Sequence, residues 1–89
     1  MPQVEIPPRY RGPTNGESRV EVDGASVRAC IDAVEARFPG FGELVFDAEG
    51  RLRRYVRLSV NGDVLEADCG AHPVGPNDRI QIVAAAAGG

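Results

Sequence analysis

Alternation of polar and apolar positions predicts two strands near the start of the chain. Residues 3–6 alternate, and Pro7-Pro8 ends the segment because proline cannot donate to a strand ladder. Residues 18–22 alternate in the same way, after a stretch at 7–17 that is rich in turn-forming residues. We therefore predict a hairpin whose inward-facing side chains are Val4, Ile6, Val20 and Val22.

A helical period follows this hairpin. Ser26 can cap the helix by accepting a hydrogen bond from an otherwise unpaired backbone N–H, and Pro39-Gly40 can end the helix. Cys30 lies beside the apolar stripe, so we predict that it is a small buried side chain rather than a reactive one. The stripe itself consists of Val27, Ile31, Val34 and Phe38, which share one helical face.

The second half of the chain predicts three more strands. Residues 41–50 fit either a short helical turn or an irregular loop over the core. Residues 53–60 alternate as a strand, Asn61-Gly62 is a hairpin signal, residues 64–65 form the return strand, and residues 79–83 form the last strand. The predicted inward-facing side chains are Val56, Leu58, Val60, Ile80 and Ile82, whereas Arg53, Tyr55, Arg57 and Ser59 are predicted to face outward.

The order of these elements is strand, strand, helix, strand, short strand, strand. One helix that covers one face of a mixed sheet is an α+β architecture, and nothing indicates a repeat or a second domain. We expect a single folded domain over residues 1–83, followed by an Ala/Gly tail at residues 84–89.

Composition and charge exclude several classes of function. The 89 residues carry 13 acidic and 10 basic side chains, and this net charge of −3 argues against a nucleic-acid partner. All the basic residues are arginine, which excludes a P-loop lysine or a Schiff-base lysine. No apolar run is long enough for a membrane helix, and no signal peptide is visible, so we expect a cytoplasmic protein without a membrane partner.

The two cysteines and the one histidine offer little material for catalysis or metal binding. Cys69 and His72 have a Cys-x-x-His spacing, to which Cys30 could add a third ligand, but a tetrahedral zinc site needs a fourth. The same spacing does not define a Cys-His nucleophile pair. We therefore predict no metal site.

The tail is the segment with the most distinctive composition. It consists of Ala84, Ala85, Ala86, Ala87, Gly88 and Gly89, directly after a strand. These residues have almost no side chain to bury and are too few for a stable isolated helix. They fit a slender arm that presents the carboxylate of Gly89 to another enzyme's active site. Composition alone equally fits a frayed end or an artificial extension.

Five segments in a fixed order carry a family resemblance: Arg37-Phe38-Pro39-Gly40, residues 47–56, Val60-Asn61-Gly62-Asp63-Val64, residues 77–83 and the terminal Gly88-Gly89. Together they resemble the ubiquitin-like β-grasp sulfur carriers of the ThiS/MoaD type, over almost the whole chain. The segment 41–54 is most similar to the longer carriers, including the one that serves cysteine biosynthesis. The resemblance implies a β-grasp fold with four to five strands packed on one helix.

The resemblance also implies a function in which this chain is a substrate rather than an enzyme. An E1-like adenylyltransferase would use ATP and Mg²⁺ to adenylate the Gly89 carboxylate, and a sulfur donor would then convert it into a thiocarboxylate. A sulfur-accepting biosynthetic enzyme would be the second partner. This chain would need no cofactor of its own and would be a monomer when alone.

The resemblance leaves two other functions open, as well as the sulfur acceptor. The chain could be the small subunit of molybdopterin synthase, or a ubiquitin-like protein modifier. Arg57-Leu58-Ser59 and residues 66–70 depart from the family's usual pattern, and these departures leave open which of the family's partners the chain serves. The acceptor could belong to the biosynthesis of cysteine, of a cofactor or of a specialised metabolite.

Partner binding is assigned to the tail and to one strand face. Arginine and tyrosine are favoured at interface hot spots, although the same face could simply be solvated. The predicted site therefore consists of Gly89 as the thiocarboxylate-forming residue with Gly88, and of Arg53, Tyr55, Arg57, Ala84, Ala85, Ala86 and Ala87 as partner-binding residues.

Overall fold

The computed structural model describes residues 1–10, 12 and 14–84 of the chain. The elements are β1 (Gln3–Glu5), β2 (Arg19–Glu21), α1 (Val27–Arg37), α2 (Gly42–Val45), β3 (Val56–Val60), β4 (Asp63–Val64) and β5 (Arg79–Ala84), with short 3₁₀ helices at Pro8–Tyr10 and Cys69–Ala71. Within these described ranges, no helix has the length and apolar character needed to cross a membrane.

The five strands form one mixed sheet in the order β2-β1-β5-β3-β4. β1 pairs antiparallel with β2 and parallel with β5, while β3 pairs antiparallel with both β5 and β4. The last strand of the chain is thus the central strand of the sheet. The predicted α+β fold, a mixed sheet packed on one main helix, is confirmed.

The core lies between α1 and one face of the sheet. Ser26 caps α1 as predicted, because its Oγ accepts a hydrogen bond from the Ala29 amide at 3.1 Å. The inward-facing side chains predicted from alternation are buried, and Phe38 packs against the cluster as a partly buried residue just beyond the helix. The core residues contributed by α1 are Val27, Cys30, Ile31 and Val34, and those contributed by β1 and β5 are Val4, Ile80 and Ile82.

The segment after α1 forms a short helix, one of the two conformations that the sequence left open. Phe41 and Val45 are fully buried and tie α2 to the core. The Glu35 carboxylate accepts hydrogen bonds from the Gly40 amide at 3.0 Å and from the Gly42 amide at 2.8 Å. A side chain of α1 therefore satisfies backbone donors at the start of α2, where no local cap is present.

The strand predicted over residues 53–60 is too long at its start, because β3 begins at Val56. The Arg53 amide donates to the Val45 carbonyl, and the Val56 amide donates back to the Arg53 carbonyl at 2.9 Å. These bonds form a turn that connects α2 to the sheet. Arg53 and Tyr55 therefore precede the strand, and only the segment after them has the predicted period of two.

Ser59 is a second difference from the prediction. It alternates away from the core side as expected, but it is only 3% exposed. Its register neighbours Gln81 and Val64 flank it on both sides, and its hydroxyl donates to the Gln81 side chain at 3.3 Å. A central position in the sheet therefore buries this outward-facing residue.

The Asn61-Gly62 hairpin joins β3 to β4 as predicted. Both residues have positive φ, 52° for Asn61 and 92° for Gly62, which is the conformation that a tight hairpin turn demands. The return strand covers Asp63–Val64, one residue earlier than predicted. Leu65 still donates its amide to the Leu58 carbonyl at 2.8 Å.

Candidate functional site

The last strand extends one residue beyond the predicted range 79–83, so Ala84, the first residue of the predicted tail, belongs to the central strand. Ala84 is the last residue of β5, and its backbone lies opposite Val56 at the start of β3. The predicted site residues Ala85, Ala86, Ala87, Gly88 and Gly89 lie outside the described residues. The described part of the site is therefore the end of β5 and the surface that surrounds it.

The start of β5 is held on both sides by hydrogen bonds. The Asp78 carboxylate accepts from the Gly75 amide and from the Asn61 side chain, both at 2.8 Å, and the Asn61 side chain accepts in turn from the Arg79 amide at 3.0 Å. On the other side, the Gln3 amide donates to the Asp78 carbonyl at 3.1 Å. These contacts fix the position of the strand from which the tail continues.

The hydrogen bonds that the Asp78 carboxylate accepts also change its pKa. The bond from the Gly75 amide, and after it the bond from the Asn61 side chain, lowers the pKa of the Asp78 carboxyl below its usual range. The ionised form is the one that accepts both bonds. Asp78 is therefore a charged anchor at the base of β5.

Arg53, a predicted partner-binding residue, makes an intramolecular contact. Its guanidinium Nε donates to the Glu43 carbonyl in α2. Its backbone amide also donates to Val45, so both parts of the residue hold α2 against the turn before β3. The structure thus separates Arg53 from Arg57, with which the sequence pattern had grouped it.

Tyr55 and Arg57 lie beside the end of β5 and form one surface with Arg54 and Val83. Arg57 is the register partner of Val83, and both side chains are on the face opposite the core. Tyr55 is 46% exposed and Val83 is 45% exposed. The Arg54 guanidinium stacks on the Tyr55 ring at 5.5 Å from its centroid. We call the surface formed by Arg54, Tyr55, Arg57 and Val83 the tail-side patch.

The tail-side patch is cationic within an acidic protein. Four of the chain's ten basic residues lie between Arg51 and Arg57, and residues 50–62 contain no acidic residue. A large exposed apolar side chain next to arginine and tyrosine is the composition typical of an interface centre. The patch can therefore contact a partner surface that is acidic and partly apolar.

Sequence reasoning did not place Val83 and Arg54 in this site. The signal for Val83 was present, because Ile80 and Ile82 face the core and the next position in β5 must face outward. Arg54 had no such signal, since its position depends on the turn before β3. Only the structure shows its contact with Tyr55.

The cysteines are not part of an exposed site. Both are buried and neither forms a disulfide. Burial raises the pKa of the Cys30 thiol, and the nearby Asp23 carboxylate adds to the rise; burial also raises the pKa of the Cys69 thiol, with a smaller contribution from Asp68. Within the described part of the chain, no group of three or more His, Cys, Asp or Glu side chains could hold a metal ion.

Comparison with known proteins agrees with this architecture. The sequence profile described as the ThiS family matches residues 7–89. The CysO chain in the crystal structure of the Amycolatopsis orientalis BexX/CysO complex is 34% identical, with a TM-score of 0.88 and complete coverage of both chains. Mycobacterium tuberculosis CysO is 28% identical, with a TM-score of 0.89 over 97% of this chain and 100% of that one.

A more distant similarity concerns the fold alone. SAMP1 from Haloferax volcanii is 22% identical, with a TM-score of 0.74 over 99% of this chain and 98% of its own. No curated protein sequence matches the chain. The family profile covers nearly every residue, and the CysO of the BexX complex aligns from end to end, so the chain belongs to the ThiS family and has its ubiquitin-like β-grasp fold.

Proposed function

We propose that this protein is a sulfur carrier that accepts sulfur at the carboxylate of Gly89. The observation that carries the proposal is the extent of the family match, which includes the fold and continues through Gly88-Gly89. The position of the tail supports it, because residues 85–89 follow directly from the central strand of the sheet.

The chemistry has two steps, and both need a partner enzyme. A carboxylate is a poor electrophile, so an E1-like adenylyltransferase first joins the Gly89 carboxylate to the α-phosphate of ATP and releases pyrophosphate. Sulfide from a donor then attacks the acyl carbon, and the C–O bond to AMP breaks. The product is a terminal thiocarboxylate, an anionic sulfur nucleophile that stays attached to the protein.

The composition of the tail suits this chemistry. Glycine has no Cβ, so the groups of another enzyme can approach the Gly89 carbonyl closely. The alanines before it have small side chains that can pass through a narrow channel. ATP and Mg²⁺ belong to the adenylating partner, and we propose that this chain is its substrate and holds no cofactor of its own.

The tail-side patch is the proposed docking surface for the partners. It adjoins the end of β5, so a protein that holds the tail in its active site is brought against the patch. The related CysO crystallises in a complex with BexX, and we propose that this chain binds its sulfur-accepting enzyme in a comparable complex. We assign docking to Tyr55 and Arg57 together with Arg54 and Val83, while Arg53 contributes by holding α2.

The protein is proposed to act in the cytoplasm, as a monomer between encounters with its partners. Two buried cysteines that form no disulfide are compatible with a reducing compartment. The sulfur acceptor belongs to a biosynthetic enzyme, with cysteine, a cofactor or a specialised metabolite as the possible product.

The proposal is tested by the intact mass of the protein after incubation with the E1-like adenylating protein of the same organism, ATP and sulfide. We expect a mass gain equal to the exchange of one oxygen for one sulfur, and no gain without ATP. A variant that lacks Gly89 is the matched control, because it retains every described residue and ends in Gly88.

Two results would contradict the proposal. The first is an unchanged mass although the adenylating protein modifies a control carrier in the same experiment. The second is an equal gain in the variant without Gly89. Recovery of Gly89 in isopeptide linkage to lysines of other proteins would favour the modifier function, and permanent co-purification with a large catalytic subunit would favour the molybdopterin synthase function.

A further inference from the structure

The hydrogen-bond ladder between β1 and β5 is shorter than β5 itself. Its register ends with Glu5 opposite Gln81, whereas β5 continues for three more residues to Ala84. On its other side, β5 remains paired with β3 as far as Ala84. Within the described part of the chain, the last three residues of the central strand therefore have a register partner on one side only.

The direction of each backbone group in β5 follows from one bond at its start. The Asn61 amide donates to the Arg79 carbonyl at 2.9 Å, so Arg79 points its backbone groups towards β3. Because these groups alternate along a strand, Gln81 and Val83 also point towards β3. Ile82 and Ala84 point their backbone groups towards the side of β1.

Pro7 is the reason why β1 does not continue this ladder. In the parallel register, the residue after Ile6 would donate its amide to the Ile82 carbonyl, but proline has no amide hydrogen. The Pro7 carbonyl, which would be next to accept from Ala84, instead accepts from the Tyr10 amide at 2.9 Å. The first strand thus turns away where the free edge of β5 begins.

A groove lies along this edge. It has a volume of about 390 Å³, and the residues that line it include Pro7, Arg19, Ile82 and Val83. On the described backbone beside the groove, Pro7 cannot donate to the Ile82 carbonyl, and its own carbonyl accepts from Tyr10 and not from the Ala84 amide. The edge therefore presents an acceptor and a donor at the spacing of an extended strand, directly before the tail.

We propose that an extended segment of the adenylating partner pairs with β5 at this edge, as an added strand whose backbone bonds to the Ile82 carbonyl and the Ala84 amide. The inference rests on the proposed function, because it is the entry of residues 85–89 into the partner's active site that brings partner backbone beside β5. An extended backbone complements a strand edge regardless of its side chains, and this mode of recognition is general for exposed sheet edges.

The exposed Arg19 gives the added strand a charge preference. Arg19 lies in β2 and lines the groove, whereas the neighbouring Glu5 carboxylate accepts from the Gln81 side chain at 2.9 Å and pairs with Arg79 at 3.6 Å. A segment that places an acidic side chain over Arg19 is therefore favoured. The same argument disfavours a basic segment.

The test uses proline to remove one amide at the unpaired end of β5 and, as a control, one amide in the edge strand β4. Ala84→Pro deletes the amide that faces the groove, and proline is tolerated in a strand where its amide faces outward. Val64→Pro is the matched control, because Val64 is 66% exposed in the edge strand β4. Its amide faces away from β3, since the next residue, Leu65, donates its amide to the Leu58 carbonyl in β3. Binding of each variant to the adenylating protein is measured by calorimetry, beside the intact-mass assay.

We expect Ala84→Pro to weaken binding about fivefold to tenfold, the effect of one lost main-chain hydrogen bond. Val64→Pro should bind like the unmodified chain, and the thermal midpoints of both variants should stay unchanged. In the unmodified chain, the Ala84 amide should exchange with solvent rapidly when free and at least tenfold more slowly in the complex. Arg19→Glu should weaken binding as well.

The outcomes separate this inference from the proposed function. If the unmodified chain binds and forms the thiocarboxylate, but Ala84→Pro binds equally well and the Ala84 amide stays unprotected, the added strand is refuted while the function stands. If the unmodified chain neither binds nor gains sulfur, the proposed function has failed and this inference fails with it. Protection of the Ala84 amide in the free chain that rises with protein concentration would assign the edge to a second copy and overturn the proposal.

Discussion

The two ends of β5 differ in almost every respect, although they belong to one six-residue strand. The start is paired on both sides and tied to the Asp78 and Asn61 side chains. The end, as far as the described residues show, is paired only with β3, carries the exposed Val83 and continues into the tail. The comparison indicates that the start of β5 is fixed within the sheet, whereas the exposed side of its end is where we propose that partners bind.

Ile80 and Val83, which face opposite sides of the sheet, should differ in their contribution to the free energy of unfolding. Ile80→Ala removes a fully buried side chain and should lower the free energy of unfolding by about 2–5 kcal/mol. Val83→Ala removes an exposed one and should change it by less than about 0.5 kcal/mol. Urea denaturation of the two variants measures the difference. Equal losses would contradict the burial of Ile80 in the core and the exposure of Val83 on the opposite face.

Reversing the charge of one arginine near each end of β5 should change the affinity for the adenylating protein by different amounts. Arg57→Glu places an acidic group in the tail-side patch and should weaken binding to the adenylating protein about tenfold or more, since like charges across an interface are strongly unfavourable. Arg79→Glu reverses an arginine on the same sheet face at the start of β5, where its ion pair with Glu5 is exposed.

Surface plasmon resonance at two salt concentrations compares these variants. The effect of Arg57→Glu should shrink at high salt because the charges are screened. If Arg79→Glu weakens binding as much as Arg57→Glu, the docking surface is not confined to the tail-side patch.

Arg53 and Arg57 should differ in their effect on stability. Arg53→Ala loses the hydrogen bond to the Glu43 carbonyl and should lower the free energy of unfolding by about 1 kcal/mol. Arg57→Ala should cost less, because among the described residues the Arg57 guanidinium donates only to the adjacent Val56 carbonyl, at 2.8 Å. Thermal denaturation measures both, and the reverse order would show that Arg53 does not hold α2.

The smallest expected effect concerns pH. The pKa of Asp78 is lowered in the folded protein by the bonds from the Gly75 amide and the Asn61 side chain, so its contribution to stability is complete above the unfolded pKa of about 3.9. The contribution should be lost as pH falls through the lower folded pKa. Asp78→Asn should therefore reduce the acid dependence of the free energy of unfolding below about pH 4. An unchanged dependence would show that Asp78 is not the charged anchor of β5.

The sequence was sufficient to predict the fold because its strongest patterns are local. Alternation around Val20, the Ser26 cap and the Asn61-Gly62 turn each depend on neighbouring residues, and the structure confirms them. The predicted start of β3 was wrong because Arg53 continues the alternating pattern although it lies outside the strand. Its amide donates to the Val45 carbonyl, and the alternation of side chains does not reveal this contact.

The candidate site was only partly predictable for a similar reason. The composition of the tail, and the outward direction of Tyr55 and Arg57 in the alternating pattern, can be read from the sequence. The free edge beside Ile82 depends on which strands become neighbours, and the sequence places Pro7 and Ile82 at opposite ends of the chain. Pro7 lies beside Ile82 only because β1 pairs in parallel with β5, and proline has no amide hydrogen to donate to the Ile82 carbonyl.

The most direct test of the central claim is to locate the sulfur. Trypsin cleaves after arginine, and the chain has none after Arg79, so residues 80–89 form one peptide that contains the whole tail. Cys30 and Cys69 fall in two other peptides. After reaction with the adenylating protein, ATP and sulfide, we predict the exchange of one oxygen for one sulfur in the peptide 80–89, located at Gly89 by fragmentation. Addition of sulfur to a cysteine peptide, with the peptide 80–89 unchanged, would contradict the account.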